Sequence, residues 1–171
     1  MHKYILLISL LVPIQIFANN NHIDCQVVQI IDGDTIKCDT NKIRLLGIDA
    51  PEKNQRCNDN QNKKYYCGKE TINFLSSFMQ NKAISCDIYG KDFFRRDLGI
   101  CFADKININE KLLEEGLAIS YLFNNHTKQY VIHYPALEEK SRQEKKGLWK
   151  GKFQSPKDYR KQKKKVMEGL K

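Results

Sequence analysis

Between Ile31 and Glu52 the chain alternates short apolar runs with turn residues and fixed charges. Asp32-Gly33 is a strong reverse-turn signal, and residues 25–31 and 34–38 alternate around it, which predicts a β-hairpin. Ile43 to Ile48 predicts a third strand. Asp34 and Asp49 therefore leave strand-like runs, with Arg44 between them and Glu52 just beyond. A second arginine pair, Arg95-Arg96, follows Lys91-Asp92-Phe93-Phe94. Hard cations take carboxylate and carbonyl oxygens. Arginine meets phosphate oxygens with a planar, permanently charged fork. Acids interleaved with arginines thus suit a metal ion and a phosphate in one site.

The rest of the chain reads in the same alternating style. Residues 53–66 are polar and predict a loop. Gly68 to Asn81 places Ile72, Leu75, Phe78 and Met79 at helical spacing. Ala83 to Tyr89 and Asp97 to Ala103 predict two more strands around a turn. Asn107 to Glu115 opens with Asn-x-x-Glu, a capping-box variant, and stops at Gly116. Pro135 sits at a first helical position, and the run from Ala136 to Lys146 ends at Gly147. The order is three strands, helix, two strands, two helices. It predicts an α+β fold with a five-stranded sheet that closes as a small β-barrel, accompanied by three α-helices.

The N-terminus has the pattern of a secretory signal: His2 and Lys3, an apolar run from Tyr4 to Phe17, then Ala18. Pro13 and Gln15 interrupt that run, which is shorter than the ~20 residues a membrane span needs. The expected product is a secreted or periplasmic protein with no stable membrane association after signal cleavage. Its organisation is 1–18 signal peptide, 19–24 linker, 25–150 folded domain and 151–171 basic C-terminal tail. From Lys150 onward nine basic residues face Asp158 and Glu168, which accounts for +7 of the chain's +9. Such a charge favours a polyanionic partner and implies nothing about fold.

Six cysteines follow the signal segment. An even number in an exported chain argues for disulfides, and neither CxxC nor a zinc-type spacing is present. Cys86 and Cys101 are equidistant from the turn at Phe93-Phe94, so antiparallel pairing sets them opposite one another. Cys25 and Cys38 nearly face each other across Asp32-Gly33, off by about one position. Cys57 and Cys67 bracket the polar loop. The expected pairs are Cys25–Cys38, Cys57–Cys67 and Cys86–Cys101.

Taken together, several separated motifs resemble the staphylococcal nuclease (thermonuclease) family. They are the Ile31-to-Thr35 turn, the run from Arg44 to Glu52, the Asp92-to-Arg96 turn, Asn109-Glu110, Glu115-to-Ala118 and Lys146-to-Trp149. The resemblance spans about residues 25–150. It implies an OB-fold-like barrel and calcium-dependent hydrolysis of DNA and RNA that leaves 3′-phosphates. By position, Asp34 and Asp49 would hold Ca2+ through their side chains and Ala50 through its carbonyl. Arg44 and Arg96 would contact the scissile phosphate, and Glu52 would be the general base. The chain departs from the family where Phe94-Arg95 replaces Tyr-Gly before the second arginine, which leaves a choice between Arg95 and Arg96; Arg96 is preferred. Tyr121 and Phe123 both lie close to the position of a nucleotide-packing tyrosine. A monomer is expected.

Each residue also has a plainer reading. Asp32-Gly33-Asp34 alone is a turn, Arg44 alone a surface strand residue, and Glu52 a solvated loop group. The four histidines show no metal spacing, and Trp149 reads as core. The basic tail is either a solvated end or a phosphate-binding extension. A non-catalytic, single-strand-binding OB-type module is the alternative of a different class. Such a binder has no need of Asp34, Asp49, Glu52, Arg44 and Arg96 together, and all five are present.

Overall fold

The Asp32-Gly33 turn closes the predicted hairpin, joining β2 (Val28–Asp32) to β3 (Thr35–Cys38) with Ile30 opposite Ile36 and a bulge before Asp32. The computed structural model describes residues 21–122 and 125–169. The expected signal segment and Phe123 lie outside the described residues. Residues 25–31 do not form one strand. β1 (His22–Cys25) pairs with β8 (Ile84–Lys91), and the chain then turns into β2. Asp39 stabilises that turn by accepting hydrogen bonds from the Gln26 and Val27 backbone N–H groups. Cys25 therefore reaches Cys38 from the preceding strand rather than across the hairpin, with 5.1 Å between Cα atoms.

β4 (Asn41–Leu45) continues the meander antiparallel to β3 and then runs parallel to β9 (Asp97–Ala103). The curled sheet has the order β1-β8-β9-β4-β3-β2, with the short β10 (Ile106–Asn107) also on β9. Its members β2, β3, β4, β8 and β9 are the expected barrel strands. Cys86 and Cys101 are direct register partners and are disulfide-bonded. The predicted loop 53–66 carries a small ribbon of β6 (Cys57–Asn58) and β7 (Lys64–Tyr65), between which β5 (Ile48–Asp49) is not included; β5 pairs instead with β11 (Ile119–Ser120). The Cys57–Cys67 disulfide ties that ribbon to the next helix.

That helix, α1 (Cys67–Met79), buries Leu75 and Met79 against the sheet. Helix α2 (Ile108–Glu114) starts with the predicted capping box: Asn107 accepts from the Glu110 N–H and donates to the Glu110 carboxylate. A short α3 (Asn125–Lys128) precedes α4 (Tyr134–Gln143), which starts one residue ahead of the expected Pro135, so that the proline takes the second helical position. Ile36, Ile43, Leu45, Leu75, Ile108, Leu112 and Leu113 fill the core; each such side chain contributes roughly 1.5–3 kcal/mol by leaving water. Buried Asn109 donates to the carbonyls of Leu46 and Gly99 and accepts from the Cys101 N–H. It thereby pins the turn after β4 to β9.

Within the expected basic tail, the chain forms a 14-residue helix, α5 (Pro156–Gly169). Ser155 caps it by accepting from the Asp158 N–H, and Pro156 is pre-set for the first turn. The approach to α5 is stitched to the loop after Glu52. Asn58 and Lys152 exchange backbone hydrogen bonds, and Gln55 Nε2 donates to the Gln154 carbonyl.

Candidate active site

Strand polarity and the bulge deliver Asp34, Arg44 and Asp49 to one mouth of the sheet. Asp34 sits just after the hairpin turn, where its N–H donates to Asp32 Oδ1. Arg44 lies opposite Thr35 on β4. Its guanidinium spans two acids, with Nη1 at 2.9 Å from Asp34 Oδ2 and Nη2 at 3.2 Å from Asp49 Oδ1. Asp49 is fully buried on β5, and the Ala50 N–H donates to Asp34. The network continues from Asp34 in the other direction. Thr35 Oγ1 donates to Asp34 Oδ1, and Arg96 Nη1 donates to Thr35 Oγ1.

Arg96 is held by Asp92 within the β8–β9 turn. Its N–H donates to Asp92 Oδ1 and its Nε to Asp92 Oδ2, at 2.9 and 2.7 Å. Arg95 occupies the left-handed region with φ of 62°, where the family resemblance places glycine. The turn survives because Arg95 N–H still donates to the Asp92 carbonyl, at a conformational cost of about 1 kcal/mol. Arg95 is exposed, whereas Arg96 lines the cavity. The same turn holds Phe93 and Phe94 at the rim, 89% and 75% exposed.

Glu52 is held through its backbone. Its N–H donates to Gln55 Oε1 and its carbonyl accepts from the Gln55 N–H. Gln55 is fully buried, and its Nε2 reaches Gln154. Gly68 lets helix α1 start against this loop: a Cβ there would lie 2.0 Å from the Glu52 carbonyl oxygen.

Asp32, Asp34, Arg44, Glu52, Arg96 and Tyr121 share the wall of one open cavity of about 500 Å³ with Phe93 and Phe94. The wall thus brings together Asp34, Glu52, both arginines and Tyr121; Asp49 and Ala50 are not on it, Asp49 being buried beside Arg44. One further wall residue was absent from the sequence expectations: Arg160 of α5. Its Nη1 and Nη2 lie 3.0 and 2.9 Å from the two Asp49 oxygens, and Nη1 lies 3.0 Å from Glu52 Oε1. A signal for it existed, since Arg160 is the single arginine among the eight lysines of the basic segment. Arginine is the residue suited to a two-pronged grip on a carboxylate.

Burial drives the electrostatics. Desolvation lifts the Asp34 pKa to about 6 despite the Arg44 charge, with Asp32 pushing the same way. Desolvation also raises Asp49, outweighing its hydrogen bonds from Arg160 and the attraction of both arginines. For Arg160, burial works against the charge, but the hydrogen bonds it donates to Asp49 and Glu52 outweigh it and raise its pKa. Two desolvated carboxylates that converge on a single guanidinium form an oxygen-only donor pair suited to a hard cation that keeps several waters. Among the described residues, no three His, Cys, Asp or Glu side chains cluster as a metal cage.

A family model described as staphylococcal nuclease homologue matches residues 42–151. An uncharacterized endonuclease of Haemophilus influenzae is 31% identical over 155 residues, covering 86% of this chain and 79% of that protein. The thermonuclease of Staphylococcus hyicus is 30% identical over 138 residues, covering 77% of this chain and 79% of its own. A succinoglycan biosynthesis protein, ExoI, of Rhizobium meliloti is 38% identical over 92 residues, covering 53% of this chain and only 48% of that protein. The matched region contains Arg44, Asp49, Glu52 and Arg96, and the match to the two nucleases extends over most of each chain: this chain belongs to the staphylococcal nuclease family.

Proposed function

We propose that the chain is an exported nuclease that hydrolyses phosphodiester bonds of DNA and RNA with calcium, leaving 3′-phosphates. One observation carries this reading: Asp34, Arg44, Glu52 and Arg96 line a single open cavity, with Asp49 buried beside Arg44. Phosphodiester attack builds negative charge on the nonbridging oxygens, and fixed cationic donors stabilise that charge with little rearrangement. Names of relatives, endonuclease and thermonuclease, support the same class of chemistry.

Asp34 and Asp49 would hold the cation through their side chains, with Ala50 adding its carbonyl. When bound, the ion supplies Lewis-acid stabilisation of the phosphoryl oxygens. The remaining work falls to the chain's own side chains. Arg44, already oriented by Asp34 and Asp49, and Arg96, oriented by Asp92 and Thr35, donate to the nonbridging oxygens. Glu52 accepts the proton of the attacking water. Tyr121 with the exposed Phe93 and Phe94 gives the rim an aromatic surface on which bases stack. Export agrees with the three disulfides. Among the described residues no helix is long and apolar enough to cross a membrane.

The test is cleavage of DNA and RNA by the wild type and by Glu52→Gln, with calcium and with chelator. Retained hydrolysis in Glu52→Gln would remove Glu52 from its assigned role.

A further inference from the structure

A carboxylate offers about four lone-pair positions, and three of those on Asp49 are already taken by guanidinium N–H groups. Arg44 Nη2 and Arg160 Nη1 both donate to Oδ1, at 3.2 and 3.0 Å, and Arg160 Nη2 donates to Oδ2 at 2.9 Å. Arg160 also holds Glu52 Oε1 at 3.0 Å. Arg160 thus sets a positive charge on the carboxylate assigned above to the divalent ion. Two cations on one carboxylate repel each other, most strongly where water is sparse, and Asp49 is fully buried.

The helix that delivers Arg160 is docked on one flank only. Pro156 is buried and Tyr159 Oη donates to the Asn54 carbonyl, but every residue from Arg160 to Gly169 is exposed. Lys161, Lys163, Lys164 and Lys165 repel one another along this stretch, with Glu168 as its single acid. Beyond Tyr159, the ion pairs that tie α5 to the rest of the described residues are those of Arg160 with Asp49 and Glu52. Arg160 is therefore the latch of a basic strap.

We propose that Arg160 is a resident counter-cation for Asp49 and Glu52 that the divalent ion must displace, so that cation loading unlatches helix α5. The inference rests on the cation reading of Asp34 and Asp49. It gives α5 a role that sets metal affinity, in place of a passive tail.

The experiment is calcium titration by calorimetry on the full chain, as wild type, Arg160→Gln and Arg160→Lys. Limited trypsin digestion of the same proteins, with and without calcium, reports the state of α5. Arg160→Gln should bind calcium at least ~10-fold more tightly, as expected when one competing charge contact worth about 1.4 kcal/mol is removed. Arg160→Lys, which keeps the charge without the fork, should fall between. In wild type, calcium should speed cleavage after Lys161 to Lys165; in Arg160→Gln that cleavage should be fast with or without calcium. Equal or weaker calcium binding by Arg160→Gln, with wild type binding normally, would overturn the proposal and leave the cation reading intact. Absence of calcium binding in all three proteins would overturn the cation reading and the latch with it.

Discussion

Gln55 donates to the Gln154 carbonyl at 2.7 Å, joining the loop that carries Glu52 to the approach of the C-terminal helix. Its other amide atom accepts from the Glu52 N–H. One fully buried side chain thus fixes the backbone of the proposed base and the root of α5. Replacing Gln55 by Leu leaves both partners unpaired, which should cost roughly 1–3 kcal/mol. Turnover should fall alongside stability, since Glu52 loses its anchor. Urea denaturation together with cleavage kinetics checks this; unchanged values in both would show that the bridge holds nothing.

Arg44→Ala, Arg96→Ala and Glu52→Gln should each reduce turnover by at least ~100-fold, the scale of losing one transition-state donor or proton acceptor. Arg95 is exposed and held at positive φ. Arg95→Gly should therefore keep turnover and should not lower the melting temperature. Steady-state kinetics at saturating substrate decides, and a greater loss for Arg95 than for Arg96 would reverse the choice between them.

Phe93 and Phe94 stand exposed at the rim. If they stack on bases, replacing both by Ser should raise KM for single-stranded substrate by ~5-fold or more, with turnover little changed. The same pair of substitutions should barely affect a duplex, whose bases are already stacked. Equal effects on both substrates would remove the stacking role.

Asp34 gives the metal-free protein a pH signature. Its folded pKa of about 6 lies above the unfolded carboxylate value, so the folded state holds this proton more tightly. The stability this supplies is complete below about pH 4 and is lost as pH rises through about 6, amounting to on the order of 3 kcal/mol. In chelator, wild type should lose that increment between acid and neutral pH, and Asp34→Asn should not. Parallel pH profiles for the two proteins would contradict the assignment.

Much of this was readable because local signals and tertiary demands agree. Asp32-Gly33, the Asn107 capping box and Pro135 each specify a backbone geometry that the fold uses. The register of Cys86 with Cys101 follows from counting outward from one turn. The break between β1 and β2 was not readable, because it depends on Asp39 folding back onto the Gln26 and Val27 N–H groups. For Arg160 the sequence offered one signal, the single arginine of a lysine-rich segment, which does not name its partner. Its partner Asp49 lies 111 residues away, and a basic segment rich in lysine carries no periodic apolar face to announce docking. Asp34, Arg44, Asp49 and Glu52 were legible since they crowd into one short segment; Gln55 was hidden as an ordinary polar loop residue.

The central claim is that two buried acids, two arginines and Glu52 form a calcium-dependent reaction centre for phosphodiester hydrolysis. The most direct measurement is the cleavage rate of single-stranded DNA by the full chain in excess EGTA, then after calcium is restored, with end-group analysis of the products. Loss of cleavage in EGTA, recovery with calcium and 3′-phosphate ends are the expected results. Undiminished cleavage in excess EGTA would contradict the account.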